Sequence, residues 1–252
     1  MDRSCNASIQ AQRQSCLTKK QKNQRTMGRR SMDQILTGKH PIASSALRSM
    51  LYIAITAGVF QSIFYATQYV DSSVLFAENM VMEWLQLGML ISCTVLLKIS
   101  SHQMQELHQG FHLLCILPLI AAARELDNIL DVYVFDGAWQ MLVSILIIYV
   151  SVYSWKHYQA LKRHLLHIMS FSPTGLLISG FITVMVFSRL FGQQIFWQSV
   201  LQENYLRLVA RTVEEGCEFF GYLLLLFGCI EFLVIAISSR ANRNSRTEKM
   251  NM

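Results

Sequence analysis

The chain has 252 residues, of which 52% are hydrophobic and only 15% charged, with a formal net charge of +6. A soluble domain carries about a quarter charged residues, so an ordinary soluble fold is excluded. The excess positive charge lies mostly in the two terminal segments. It reads as topogenic charge that also meets anionic lipid, not as a nucleic-acid footprint.

Residues 1–45 are polar, rich in Ser, Gln, Lys and Arg, and lack apolar periodicity. They cannot bury enough surface to fold alone, so a disordered basic cytoplasmic arm is expected. The arm is too long, and the apolar segment after it too span-like, for a secretory signal. An Arg-containing, acid-poor arm also fits a mitochondrial presequence, and Met27 and Met32 stand as alternative starts.

Six apolar stretches follow, at about 46–70, 80–99, 111–130, 138–155, 174–192 and 216–238. About 20 apolar residues in a helix cross the hydrocarbon core of a bilayer. The fold class is therefore all-α and polytopic, a six-helix transmembrane domain over residues 46–238 with a basic cytoplasmic tail at 239–252. When the connections alternate between sides, 18 of the 22 Lys and Arg fall on one side, and 11 of the 16 Asp and Glu on the other. The bias places both termini in the cytoplasm, for a multi-pass protein of the cell inner membrane. Trp84, Trp139, Trp155 and Trp197 fall near span ends, the usual interfacial position. Gly180, Gly221 and Gly228 read as points of close helix packing.

The entry to the last span carries the strongest local pattern. Steps of three and four put Arg207, Arg211, Glu214, Glu218 and Tyr222 on one stripe, with Glu215 beside it and Glu203 ahead. The third span ends with Arg124, Glu125, Asp127, Asn128 and Asp131. The second opens with Asn79, Glu83 and Gln86, and the first closes with Gln61, Tyr65, Gln68 and Asp71. Gln140, Ser144, Arg189 and Gln193 complete the set from the fourth and fifth spans. A charge at mid-helix costs about 2.5–3.5 kcal/mol on insertion scales and less near the interface. These faces are therefore expected to meet each other or a water-filled recess.

The candidate cluster is Glu83, Arg124, Glu125, Asp127, Arg207, Arg211, Glu214, Glu215 and Glu218. Arginines pair with carboxylates bidentately, yet acids outnumber arginines here. Two readings stand: an Arg–carboxylate network that holds helix ends together, and a pocket for a cation, a proton or a polar head group. Glu231, deep in the last span and off the stripe, is either a carboxyl bonded to a neighbouring helix or a proton-relay position.

The seven histidines all fall on the basic side. His108 and His112, and His164 and His167, have spacings that chelate a metal from one helix face. The HxxxH pair His108 and His112 resembles one element of the alkaline-ceramidase-like membrane hydrolases. No second histidine lies inside a span and the acids lie opposite, so no family is assigned. Cys5, Cys16, Cys93, Cys115, Cys217 and Cys229 include no CxxC pair, which argues against a disulfide framework or a structural zinc. No GxSxG, HExxH or P-loop occurs.

The expectation is an integral membrane protein that binds or passes a cation or small polar solute at its outer face, leaning away from an enzyme and needing no cofactor. The alternatives are a lipid-active membrane enzyme and a non-catalytic assembly or sensing subunit. Expected partners are the lipid bilayer, anionic lipid at the basic termini and another membrane protein; nucleic acid is not expected.

Overall fold

In the computed structural model, residues 42–69 and 81–250 are described, with side chains at 45–69 and 81–241. Residues 1–41 of the expected arm, with His40, Cys5 and Cys16, and Asp71, Glu78 and Asn79 lie outside these residues, whereas residues 42–45, expected in the disordered arm, are helical. Among the described residues the chain is all-helical, and six helices are long and apolar enough to cross a membrane. This is compatible with a multi-pass membrane protein.

The helices are α1 (Ile42–Tyr69), α2 (Val81–Gln103), α3 (His108–Glu125), α4 (Asp127–Tyr133), α5 (Ala138–Lys156), α6 (Tyr158–Ile168), α7 (Thr174–Ile182), α8 (Arg189–Phe191), α9 (Gln194–Leu201) and α10 (Arg207–Met250). A π-helical segment, Thr183–Ser188, joins α7 to α8 into one rod. By contact clustering the chain divides into Met1–Ala46 and Leu47–Met252. Of the first unit only the opening turns of α1 are described. Everything below concerns the second.

Helix α10 is the hub. It packs along α2 on one side and along α7 and the π segment on the other, while α3 packs on α2 and α5. Its approach to α7 needs glycine. A Cβ on Gly221 would sit 2.4 Å from Val184 Cγ2 and 3.0 Å from the Gly180 carbonyl oxygen. Small residues let two backbones meet this closely. Leu90, Val184 and Tyr222 fill the seam above, and Phe111 and Phe232 fill it below, all buried.

Helix α1 is attached more sparsely. Tyr52 stacks on Phe227 at 4.3 Å, and Phe60 meets Phe219 and Phe220 edge-on. At its start Arg48 grips Glu231 bidentately, Nε to Oε1 at 2.6 Å and Nη2 to Oε2 at 3.1 Å, and Tyr52 donates to Oε1 at 2.8 Å. Glu231 is thus a hydrogen-bonded carboxylate held by a neighbouring helix.

Three boundaries differ from the sequence expectation. The third apolar stretch breaks at Leu126, so Asp127 opens a separate short helix. The basic segment after Lys156 is not plain loop but α6. The last helix starts at Arg207, well before its apolar run, and continues to Met250 into the expected tail.

Candidate functional site

Where the end of α3 meets the start of α10, the polar side chains enclose a recess of about 640 Å³. All nine residues of the sequence-derived cluster line it: Glu83, Arg124, Glu125, Asp127, Arg207, Arg211, Glu214, Glu215 and Glu218. Asn128, Asp131, Trp139, Arg189, Gly192, Gln194 and Ala210 complete the lining. We call this end of the bundle the acidic end.

The floor is a closed ion-pair network. Glu218 is buried, and its Oε1 accepts three hydrogen bonds: from Arg124 Nη2 at 2.8 Å, Arg189 Nη2 at 2.7 Å and Ser188 Oγ at 2.9 Å. Arg124 Nη2 also donates to Glu125 Oε1 at 2.8 Å, and Tyr222 OH donates to the same oxygen at 2.7 Å. Arg189 Nη1 reaches Glu214 Oε1 at 3.1 Å. Two guanidinium groups thus bind three carboxylates across α3, α8 and α10. Removing such groups from water costs several kcal/mol each, and the attraction repays it only when the remaining polar atoms are satisfied. Here Ser188 and Tyr222 supply that satisfaction.

The walls are looser. Gln86, fully buried on α2, donates from Nε2 to Glu215 Oε2 at 3.0 Å. Arg211 Nη2 lies 3.7 Å from Glu83 Oε1, an ion pair that reaches across to α2. Asp127 is exposed and takes only the adjacent Asn128 N–H, at 2.6 Å on Oδ1. Asp131 Oδ1 accepts the Gly137 N–H at 3.0 Å. That bond, with Gly137 at φ +85°, closes the turn that leads into α5 and brings Trp139 to the rim. Gly192 is pressed against Glu214, whose carboxyl atoms a Cβ there would overlap at 2.5 Å.

Seven carboxyl groups and four arginines line the recess. Glu218, Glu125 and Glu214 are paired within the floor. Among the described residues no three His, Cys, Asp or Glu side chains form a metal-holding group.

Some expected contributors do not join. Gln61, Tyr65 and Gln68 of α1 are exposed and line no part of the recess, and neither do Gln140, Ser144 or Gln193. Polar residues at span ends need no protein partner where water or head groups reach them. Glu203 sits exposed in the short turn Gln202–Asn204. Ser188 was not legible from the sequence. In an unbroken α-helix the residue seven after Gly180, on the same face, is Phe187. The π segment holds one extra residue, so Ser188 takes that place and Phe187 is exposed.

Of the two histidine pairs, His108 and His112 are hydrogen-bonded away from the recess. His108 Nδ1 lies 2.8 Å from Ser101 Oγ, and His112 Nε2 lies 2.9 Å from Tyr149 OH. Cys93, Cys115, Cys217 and Cys229 are free thiols. Compared with protein families, curated proteins and solved structures, the chain matches none.

Proposed function

We propose that the chain is a six-span protein of a cell inner membrane, with both termini cytoplasmic, whose acidic-end recess binds a small polar solute carrying a positive charge. The observation that carries this is the surplus of carboxylates in a recess of about 640 Å³, after the floor arginines have been matched. Asp127 takes no arginine among the described residues, Glu215 is bonded to the neutral Gln86, and Glu214 shares Arg189 with Glu218, so these three carry the surplus negative charge; Trp139 lines the same recess, and an indole face attracts cations. The arginines of the recess favour a solute with more than one polar group over a bare metal ion. Arg207 lines the same recess and offers a guanidinium to an anionic or carbonyl group on that solute. Lipid surrounds the helices, and basic termini of this kind attract anionic head groups.

Binding is favoured over passage by what lies below the floor. Beneath Tyr222 the seam of α2, α3 and α10 is filled by Leu97, Phe111, Cys115, Phe227, Cys229 and Phe232, all buried. No charged group interrupts α10 between Glu218 and Glu231. The lipid-active reading draws on a second, apolar groove of about 560 Å³ between α1 and α2, lined by Ile55, Val59, Ile63, Leu85 and Phe219.

The test is a thermal-shift series on the purified chain with Ca²⁺, Mg²⁺, Mn²⁺ and small alkylammonium ions. Stabilisation of the wild type by alkylammonium, lost in Asp127→Asn and kept in Glu203→Gln, is the expected result. No response to any cation would remove the reading.

A further inference from the structure

The end of the bundle opposite the recess carries a feature that a topogenic loop does not need. Helix α6 is amphipathic and is locked onto the start of α3. Its inner face presents Leu161, His164 and Ile168 to that helix, and the fit is tight. A Cβ on Gly110 would fall 2.7 Å from Ile168 Cδ1 and 3.0 Å from His164 Cβ. Beyond α6, Thr174 Oγ1 donates to the Ile168 carbonyl at 2.6 Å, and Phe171 packs edge-on against Phe232. Charge that only sets orientation can sit on any mobile loop. Here it is held in place.

The outward surface of α6 has two parts. Tyr158, Lys162, Leu166 and Met169 recur at steps of three and four and form one exposed stripe. Trp155, at the end of α5, is 88% exposed beside it. Arg163 and Lys156 are exposed next to this stripe. Exposed aromatic and aliphatic groups interleaved with Lys and Arg mark a helix lying in the head-group region, where apolar atoms reach the acyl boundary and the cations stay with the phosphates. Lys98 and Arg240 are also exposed at this end, as is the acid Glu106, and Arg240 Nη1 donates to Gln103 Oε1 at 2.7 Å.

We infer that α6 is a docking surface for anionic phospholipid, with Lys156, Lys162 and Arg163 holding the head group and Tyr158, Leu166 and Met169 meeting the acyl chains. This site is separate from the recess and does not depend on what the recess binds.

The experiment uses the full chain in detergent micelles, titrated with phosphatidylglycerol, phosphatidylcholine or glycerol phosphate, with retained lipid counted by native mass spectrometry. Phosphatidylglycerol should bind in preference to phosphatidylcholine, and glycerol phosphate, which lacks acyl chains, should not compete. Each surface charge contributes about five-fold in affinity, so Lys162→Gln with Arg163→Gln should weaken phosphatidylglycerol binding about twenty-five-fold. Lys98→Gln, at the same end but off α6, should lower it by no more than its own five-fold share. Equal binding of both phospholipids would overturn the inference. So would full competition by glycerol phosphate, or a loss in Lys98→Gln as large as in the double variant. Self-association through the stripe without lipid preference would assign the surface to a second copy instead.

Discussion

Replacing Glu218 with Gln keeps the shape of the floor and removes its central charge. In the wild type one oxygen of Glu218 serves Arg124, Arg189 and Ser188 at 2.7–2.9 Å. An amide still accepts from Ser188 and one guanidinium, so the perturbation is chiefly electrostatic. Breaking a buried pair by neutralising one partner costs about 3–5 kcal/mol. Two features pull the expectation toward the lower end. Arg124 keeps Glu125, and Arg189, with a side chain 47% exposed, keeps Glu214 and is screened by solvent. We expect a loss of about 3 kcal/mol in denaturant unfolding of the detergent-solubilised protein. Glu203→Gln, on an exposed turn, should stay within about 0.5 kcal/mol of wild type. Ser188→Ala removes one neutral donor and should cost about 1 kcal/mol. Indistinguishable small effects for Glu218 and Glu203, or a larger loss for Ser188 than for Glu218, would refute a charge-based floor.

Three further outcomes follow from particular contacts. Gly221→Ala drives a methyl into Val184 and the Gly180 carbonyl and should cost about 1–3 kcal/mol, whereas Gly216→Ala on the same helix, with nothing within 4 Å, should be neutral by the same unfolding assay. Deleting Val186 takes the extra residue out of the π segment and leaves Ser188 and Arg189 facing Glu218, whereas inserting an Ala beside it turns both away by about 100°; the insertion, not the deletion, should reproduce the Glu218→Gln loss. Burial in α6 pushes His164 and His167 below the ordinary imidazole range, with Arg163 adding to the effect at His164 and Glu106 opposing it at His167. A depressed folded-state value means that the stability they contribute is present above about pH 6.5 and lost as pH falls through the folded value. The melting temperature should therefore drop between pH 7 and 5, and His164→Gln should flatten that slope.

The stripe Arg207–Tyr222 was legible because α10 is helical from Arg207 onward, so simple steps of three and four hold along it. Arg124, Glu125 and Glu83 followed from the energy of charge at span ends, and the recess collects them. The partner choice of Arg211 did not follow. Its own helix offers Glu214 and Glu218, and the facing surface of α2 also brings Glu83 within 3.7 Å. Ser188 was hidden because periodicity assumes 3.6 residues per turn, and the π segment breaks that count. Helix α6 was hidden for a different reason. Hydropathy averages its two faces to near neutrality, and a basic stretch between spans reads as loop unless its apolar spacing is weighed separately. The polar ends of the first and fourth spans carry no such signal, since Gln61 and Gln140 satisfy the same composition rule yet line no part of the recess.

The central claim is that the recess holds a positively charged solute. Isothermal titration of the purified chain with methylammonium and tetramethylammonium at pH 7, on the wild type and on Asp127→Asn with Glu214→Gln, tests it most directly. The account predicts one saturable site per chain for at least one of these ions, abolished in the double variant while the protein stays folded. Absence of saturable binding in the wild type, or binding unchanged by removal of both carboxylates, would contradict it.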